Sequence, residues 1–156
     1  GAGTQSNLAA AADLSEAALE TLLTNIQLIK DDRGILIGAG AASLHIPPAL
    51  QFTAEKILMS PGSTVSTNNF ARNDINAIRA LGAVPGGYFV NRRFTDTNAY
   101  FIKTDVPNGA KMFVRTALQT KMEEDFDTGN LRFKARERFS FGVSDWRSYF
   151  GSAGGS

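Results

Sequence analysis

Asp125-Phe-Asp-Thr-Gly-Asn-Leu-Arg-Phe-Lys-Ala-Arg-Glu-Arg-Phe-Ser-Phe-Gly142 encodes two extended segments around a tight turn, the second with four cations on one face. Leu131, Phe133, Ala135, Glu137, Phe139 and Phe141 fall on one side of a period-2 strand, and Arg132, Lys134, Arg136 and Arg138 fall on the other. Same-face neighbours lie about 6.6 Å apart, so the four cations span roughly 20 Å. Such a row repels itself unless anions face it. The strand therefore expects a partner, and the identity of that partner is the functional question.

Working outward, Leu118 to Phe126 is the preceding strand, which makes a long hairpin with Leu131 to Val143 around Asp127-Thr-Gly-Asn130. Upstream, Tyr88-Phe-Val90, Ala99-Tyr-Phe-Ile-Lys103 and Lys111-Met-Phe-Val-Arg115 are short apolar runs separated by turn chemistry, including Pro107-Asn-Gly109. The first half has a different texture. Asp13-Leu-Ser-Glu16 reads as a capping box, after which Leu19, Leu22, Leu23, Ile26 and Ile29 recur at helical spacing until Gly34. Ser43-Leu-His-Ile46 reads as a core strand ended by Pro47-Pro48, which start a second helix with Leu50, Ala54, Ile57 and Leu58 inward. Ser60-Pro-Gly62 stops that helix, and the polar run Ser63 to Asn69 is a surface loop. Asn73 or Asp74 is expected to cap a third helix, with Ile75, Ile78 and Leu81 inward and Gly82 at its end. Helices mixed with strands, followed by strands alone, make the fold class α+β rather than a doubly wound sheet.

The bulk numbers narrow the function. A length of 156 residues with 43% hydrophobic content and eleven Phe suits one ordinary domain, or one compact lobe of something larger. Sixteen basic against fifteen acidic residues argue against a dedicated nucleic-acid binder, though not against local charge segregation. The absence of cysteine excludes disulfides and thiolate metal sites. No apolar run approaches the ~18 residues of a membrane helix, and no signal-peptide pattern is present, so no membrane partner is expected. Gly1 to Asn7 and Phe150 to Ser156 read as flexible ends.

Catalytic and cofactor readings fare poorly against simpler ones. Gly38-Ala-Gly40 follows an apolar run as a dinucleotide-binding turn would, but the helix that must follow the glycines is replaced by Leu44-His-Ile46 and two prolines. His45 is the single histidine and sits in an apolar strand, which suits a structural role better than a triad or a metal site. Glu123, Glu124, Asp125 and Asp127 lack the spacing of a calcium loop. The simpler account places these acids opposite the basic row, across the hairpin or across a subunit boundary. No enzyme, metal or cofactor is expected. For Arg132, Lys134, Arg136 and Arg138 two partners fit: nucleic acid, attracted through its phosphates, or carboxylates of neighbouring copies. The adjacent acids and the balanced net charge favour neighbouring copies, where a weak bridge repeated by symmetry fixes register.

Phe94 to Asp105, Phe126 to Gly142 and Ser144-Asp-Trp146 resemble the carboxy-terminal half of tailed-phage major capsid proteins. Lys30-Asp-Asp-Arg-Gly34 and Leu44-His-Ile-Pro-Pro48, followed by a helix, also fit that family, and the similarity runs in order from about residue 14 to 150. The resemblance implies a Johnson-fold axial lobe with a long β-hairpin from the peripheral lobe. It implies a flexible segment over 1–13, an axial-lobe-like α/β domain over 14–116, the hairpin over 117–143, and a return segment with a flexible tail over 144–156. The implied function is a structural subunit of a self-assembling icosahedral shell that packages DNA. Its partners would be copies of itself in pentamers and hexamers, scaffolding and portal proteins, and non-specifically held DNA. The location would be the virion, assembled in the host bacterial cytoplasm. Ser63, Asn68, Asn69, Pro85 and Gly86 become candidates for contacts at a symmetry axis. Arg132, Lys134, Arg136 and Arg138 with Glu123, Glu124 and Asp125 become inter-subunit electrostatics. Because such subunits are commonly about twice this domain-scale length, the chain is expected to be a fragment. An encapsulin-like compartment shell and a polyanion-binding module using strand 132–138 are the alternatives.

Overall fold

In the computed structural model, residues 5–62 and 75–155 are described. They divide into two units, one of residues 1–107 with 146–156 and one of residues 108–145. The hairpin unit thus begins nine residues earlier than the expected boundary at residue 117.

The first unit opens with helix α1, Glu16–Gln27, whose Leu19, Leu22, Leu23 and Ile26 are all buried. Its cap is Ser15, whose Oγ accepts from Ala18 N at 3.2 Å, and not Asp13. Asp13 instead accepts from Gly155 N at 2.9 Å, tying the tail to the start of the chain. The helix ends at Leu28 rather than running to Gly34. A short antiparallel bridge between Lys30 and Leu36 takes over there, closed by Asp31 Oδ1, which accepts from Arg33 N and Ile35 N, with Gly34 at φ 89°. Gly34 therefore makes a turn between extended segments, the other common use of a left-handed glycine.

Strand β1, Ala41–Ile46, is followed by a 3₁₀ turn at Pro48–Leu50 and by helix α2, Gln51–Met59, as the two prolines predict. Helix α3, Ala77–Ala80, is a single turn capped by Asn76. Ile78 is buried, but Ile75 and Leu81 are 73% and 81% exposed, so only one of the three expected inward positions faces the core. The sheet is completed by β2, Tyr88–Val90, β3, Tyr100–Thr104, and β6, Tyr149–Ser152, in the order β2-β1-β3-β6. β1 and β2 pair in parallel, joined through α2 and α3, whereas β3 is antiparallel to both β1 and β6. The expected α+β chain therefore contains one parallel strand–helix–strand crossover. The glycine turn at Gly38–Gly40 precedes β1 instead of leading into a helix, and Gly40 N donates to Asp105 Oδ1.

Alternation along the strands divides the sheet into two faces. Leu44, Ile46, Tyr100, Ile102 and Phe150 join Leu19, Leu22, Ile26, Ala54, Ile57 and Ile78 in one apolar cluster. Phe89, His45 and Phe101 lie side by side on the opposite face, with Phe89 stacked on His45 at 5.5 Å. Gly151 continues that row, and a Cβ there would fall 2.6 Å from the Phe101 ring.

Neither end is loose over its described residues. Asn7 donates to Trp146 O and Tyr149 O, Ala9 N donates to Gly151 O, and Leu8 bridges Gly151 in parallel. Phe150 and Ser152 are buried, so the segment read as a flexible tail supplies the edge strand of the sheet.

Candidate assembly surface

The second unit is a two-stranded antiparallel ribbon, β4, Ala110–Glu124, with β5, Leu131–Val143. It starts at Asn108, held at φ 65°, where the Pro107-Asn-Gly109 turn was expected. At the far end Asp125 N donates to Asn130 O and Gly129 N to Asp125 O. The Asp125 carboxylate accepts from Thr128 Oγ1 and pairs with Arg132 at 2.5 Å. This turn fixes Glu124 opposite Leu131 and thereby every pair up to Gln119 with Arg136. From Val114 to Gln119 β4 takes five residue steps against three on β5, through two register shifts. Extra residues on one strand interrupt the ladder and sharpen its twist. They also explain why the sequence reads as two strands, Lys111–Arg115 and Leu118–Phe126, where one irregular strand exists.

Residues directly opposite in an antiparallel pair share a face. One face carries Met112, Val114 and Met122 from β4 with Leu131, Phe133, Phe139, Phe141 and Val143 from β5. All of these are exposed, Phe133 by 68% and Phe141 by 72%, and the Phe139 and Phe141 rings meet edge to face at 5.4 Å. The other face carries Arg132, Lys134, Arg136 and Arg138, opposite Glu123, Lys121, Gln119 and Thr116 in turn. Gln119, Lys121, Lys134 and Arg136 line a shallow groove.

The acids therefore meet the basic row only at its first member. Glu123 lies opposite Arg132 and Asp125 bonds to it, but Glu124 and Glu137 belong to the apolar face. Lys121 was missed from sequence, yet counting back from the turn places it opposite Lys134, so the signal was present. Pro85 and Gly86 lie exposed in the turn before β2, where Gly86 N donates to Ala42 O at 2.8 Å. A Cβ on Gly86 would sit 2.5 Å from that same oxygen, so this turn is held against β1 by backbone contact. Ser63, Asn68 and Asn69 lie outside the described residues, as do Asn73 and Asp74.

The catalytic alternatives gain nothing from the geometry. His45 Nε2 lies 3.0 Å from Ser43 Oγ, and burial together with nearby Lys103 lowers the imidazole below its ordinary range. Among the described residues no group of three or more His, Asp or Glu is placed to hold a metal ion, and no helix is long and apolar enough to cross a membrane.

A virus-like particle from Pyrococcus furiosus resembles the chain with a TM-score of 0.48 and 13% identity, over 95% of this chain and 57% of that one. The chain thus spans little more than half the length of that particle protein. No curated protein sequence matches. Residues 1–150 match the family model described as phage capsid protein. That match takes in nearly all of both units, and by it the chain belongs to the phage capsid protein family, whose members are structural rather than enzymatic.

Proposed function

We propose that this chain is a subunit of the icosahedral shell of a tailed phage, with residues of the first unit forming a Johnson-fold axial lobe and the hairpin belonging to the peripheral lobe. The observation that carries the reading is the exposed apolar face of the ribbon. A lone two-stranded hairpin is marginal in water, and a contiguous exposed apolar surface of more than a few hundred Å² marks a site of association. Membership of a capsid family makes further polypeptide of the same shell the natural cover: other copies, or a part of the subunit lying outside this chain. Glu123, Glu124, Asp125 and Arg132, gathered at the turn, are assigned to electrostatic contacts between subunits. Pro85 and Gly86 are assigned to contacts near a symmetry axis, where a backbone-braced turn can keep its shape.

On this reading the mechanism is burial and pairing, with no chemical step. The sheet core keeps the first unit rigid while the ribbon supplies surface completed only by assembly. Pentamers and hexamers of the intact subunit would close a shell around DNA, with scaffolding and portal proteins as partners, in the host cytoplasm and finally the virion. Electron microscopy of the intact gene product expressed alone tests this. Closed particles are the expected result. A protein that stays monomeric at high concentration, with or without scaffolding helpers, would overturn it.

A further inference from the structure

On the second face of the ribbon only Arg132 has an acidic partner among the described residues. Lys121, Lys134, Arg136 and Arg138 are exposed, and no carboxylate lies within ion-pair distance of any of them among the described residues. Lys121 and Lys134 stand directly opposite each other, an arrangement that destabilises a β ladder by itself. The chain's other carboxylates offer no matching row. Asp13, Asp31, Asp96 and Asp105 each accept from backbone N–H groups in turns, and Asp32 pairs with Arg147. These five are scattered through separate loops of the first unit, and the acids at the ribbon's turn are gathered at the Arg132 end, where Glu123 and Asp125 already face that one cation.

We propose that this face is a seat for the phosphodiester backbone of nucleic acid, with Lys121, Lys134, Arg136 and Arg138 as its phosphate contacts and Gln119 as a neutral hydrogen-bonding neighbour. A row about 13 Å long from Lys134 to Arg138 meets a continuous line of charge on duplex DNA, which carries one phosphate per roughly 1.7 Å of axis. An anion lying in the groove between Lys121 and Lys134 converts their repulsion into two attractions. Of the ribbon's aromatic side chains, Phe133, Phe139 and Phe141 lie on the other face, Phe113 lies opposite Ser140 near the base, and Phe126 is exposed in the turn beyond Arg132. No aromatic side chain stands among Lys121, Lys134, Arg136 and Arg138 to stack bases, so binding there is blind to sequence and tolerant of a duplex. This deepens the shell reading and rests on it for the source of the nucleic acid, but the binding itself can be measured without assembly.

The test is a salt titration of this 156-residue chain with a short labelled DNA duplex of random sequence, followed by fluorescence anisotropy. Four phosphate contacts predict a slope of log affinity against log salt of about −3.6, or roughly 150-fold weaker binding at about 200 mM salt than at about 50 mM. Lys121→Gln with Lys134→Gln should reduce the slope by about two. Lys134→Arg should preserve it, as should Lys56→Gln on α2. Circular dichroism of each variant checks that the ribbon is intact. No binding at about 50 mM salt, or an unchanged slope in the double variant, overturns the proposal. So does loss of particles from the intact gene product carrying the double substitution while the DNA titration stays unchanged, since the row would then serve subunit pairing. Retained DNA binding by a protein that never forms particles overturns the shell reading alone.

Discussion

Asn76 shows how much one buried polar side chain holds together. It is 1% exposed, its amide nitrogen donates to Ile57 O and Ser60 O, and its oxygen accepts from Arg79 N. One residue therefore caps α3 and closes the end of α2. Asn76→Ala should lower stability by about 2–3 kcal/mol, from the lost cap and two carbonyls left without a donor. Urea unfolding should show a lower midpoint at unchanged slope. Asn76→Asp keeps the cap but turns a carboxylate toward two carbonyls, and should be no better. His45 gives a pH signature. Its imidazole is held below the ordinary value by burial and Lys103, so the unfolded chain takes up the proton first as pH falls. Stability is then complete above about 6.5, declines as pH drops toward the folded value, and levels off below it. His45→Gln should remove that decline in thermal melts taken across the window. The sequence reading picked out His45 and assigned it a structural role, but it placed the α3 cap at Asn73 or Asp74. Several Asn and Asp residues lie close together there in sequence, and the contacts of Asn76 with Ile57 and Ser60 are tertiary, so no local pattern announces them.

At the scale of elements, the ribbon's two faces were legible because alternation in Leu131–Val143 puts every cation on one face and is broken on the other only by Glu137. The turn was equally clear from Asp127-Thr-Gly-Asn130. The register shifts in β4 were not, because the run Arg115-Thr-Ala-Leu118 has no punctuation beyond lost periodicity. Helix α1 was legible on its buried face and misread at both ends, where Ser15 and Leu28 set limits that Asp13 and Gly34 only resemble. If the apolar face of the ribbon is the assembly surface, Phe133→Lys with Phe141→Lys should suppress association of the intact gene product. Both positions are more than half exposed, so the folded first unit should be untouched. Sedimentation velocity should then shift toward the monomer, with an unchanged thermal melt of the sheet unit.

For the whole molecule, the two units differ in what holds them. The first has a layered core, with Leu19, Ile26, Leu44, Ile46 and Ile102 all fully buried. The second has a single ladder with both faces open to water. Hydrogen exchange on this chain should therefore show slow amides in β1 and β3 and fast ones throughout β4 and β5, the latter becoming protected in assembled particles. The reverse order would mean that the ribbon is stable without partners. The split between helical and all-strand halves was visible in sequence. The return of the chain into the first sheet was not, because Phe150-Gly-Ser-Ala-Gly-Gly-Ser156 has the composition of a linker and becomes an edge strand only through Leu8, Ala9 and β3 beside it.

The surplus residues in β4 have a bearing on how such a protein avoids precipitating. A straight ribbon with two bare flanks invites one molecule after another to add alongside, in the manner of a fibre. The register shifts between Val114 and Gln119 spoil one flank as a template, because extra residues on a strand break the even line of its amide and carbonyl groups. Lateral growth is left with one regular flank, along β5, which favours closed, finite contacts over open-ended stacking.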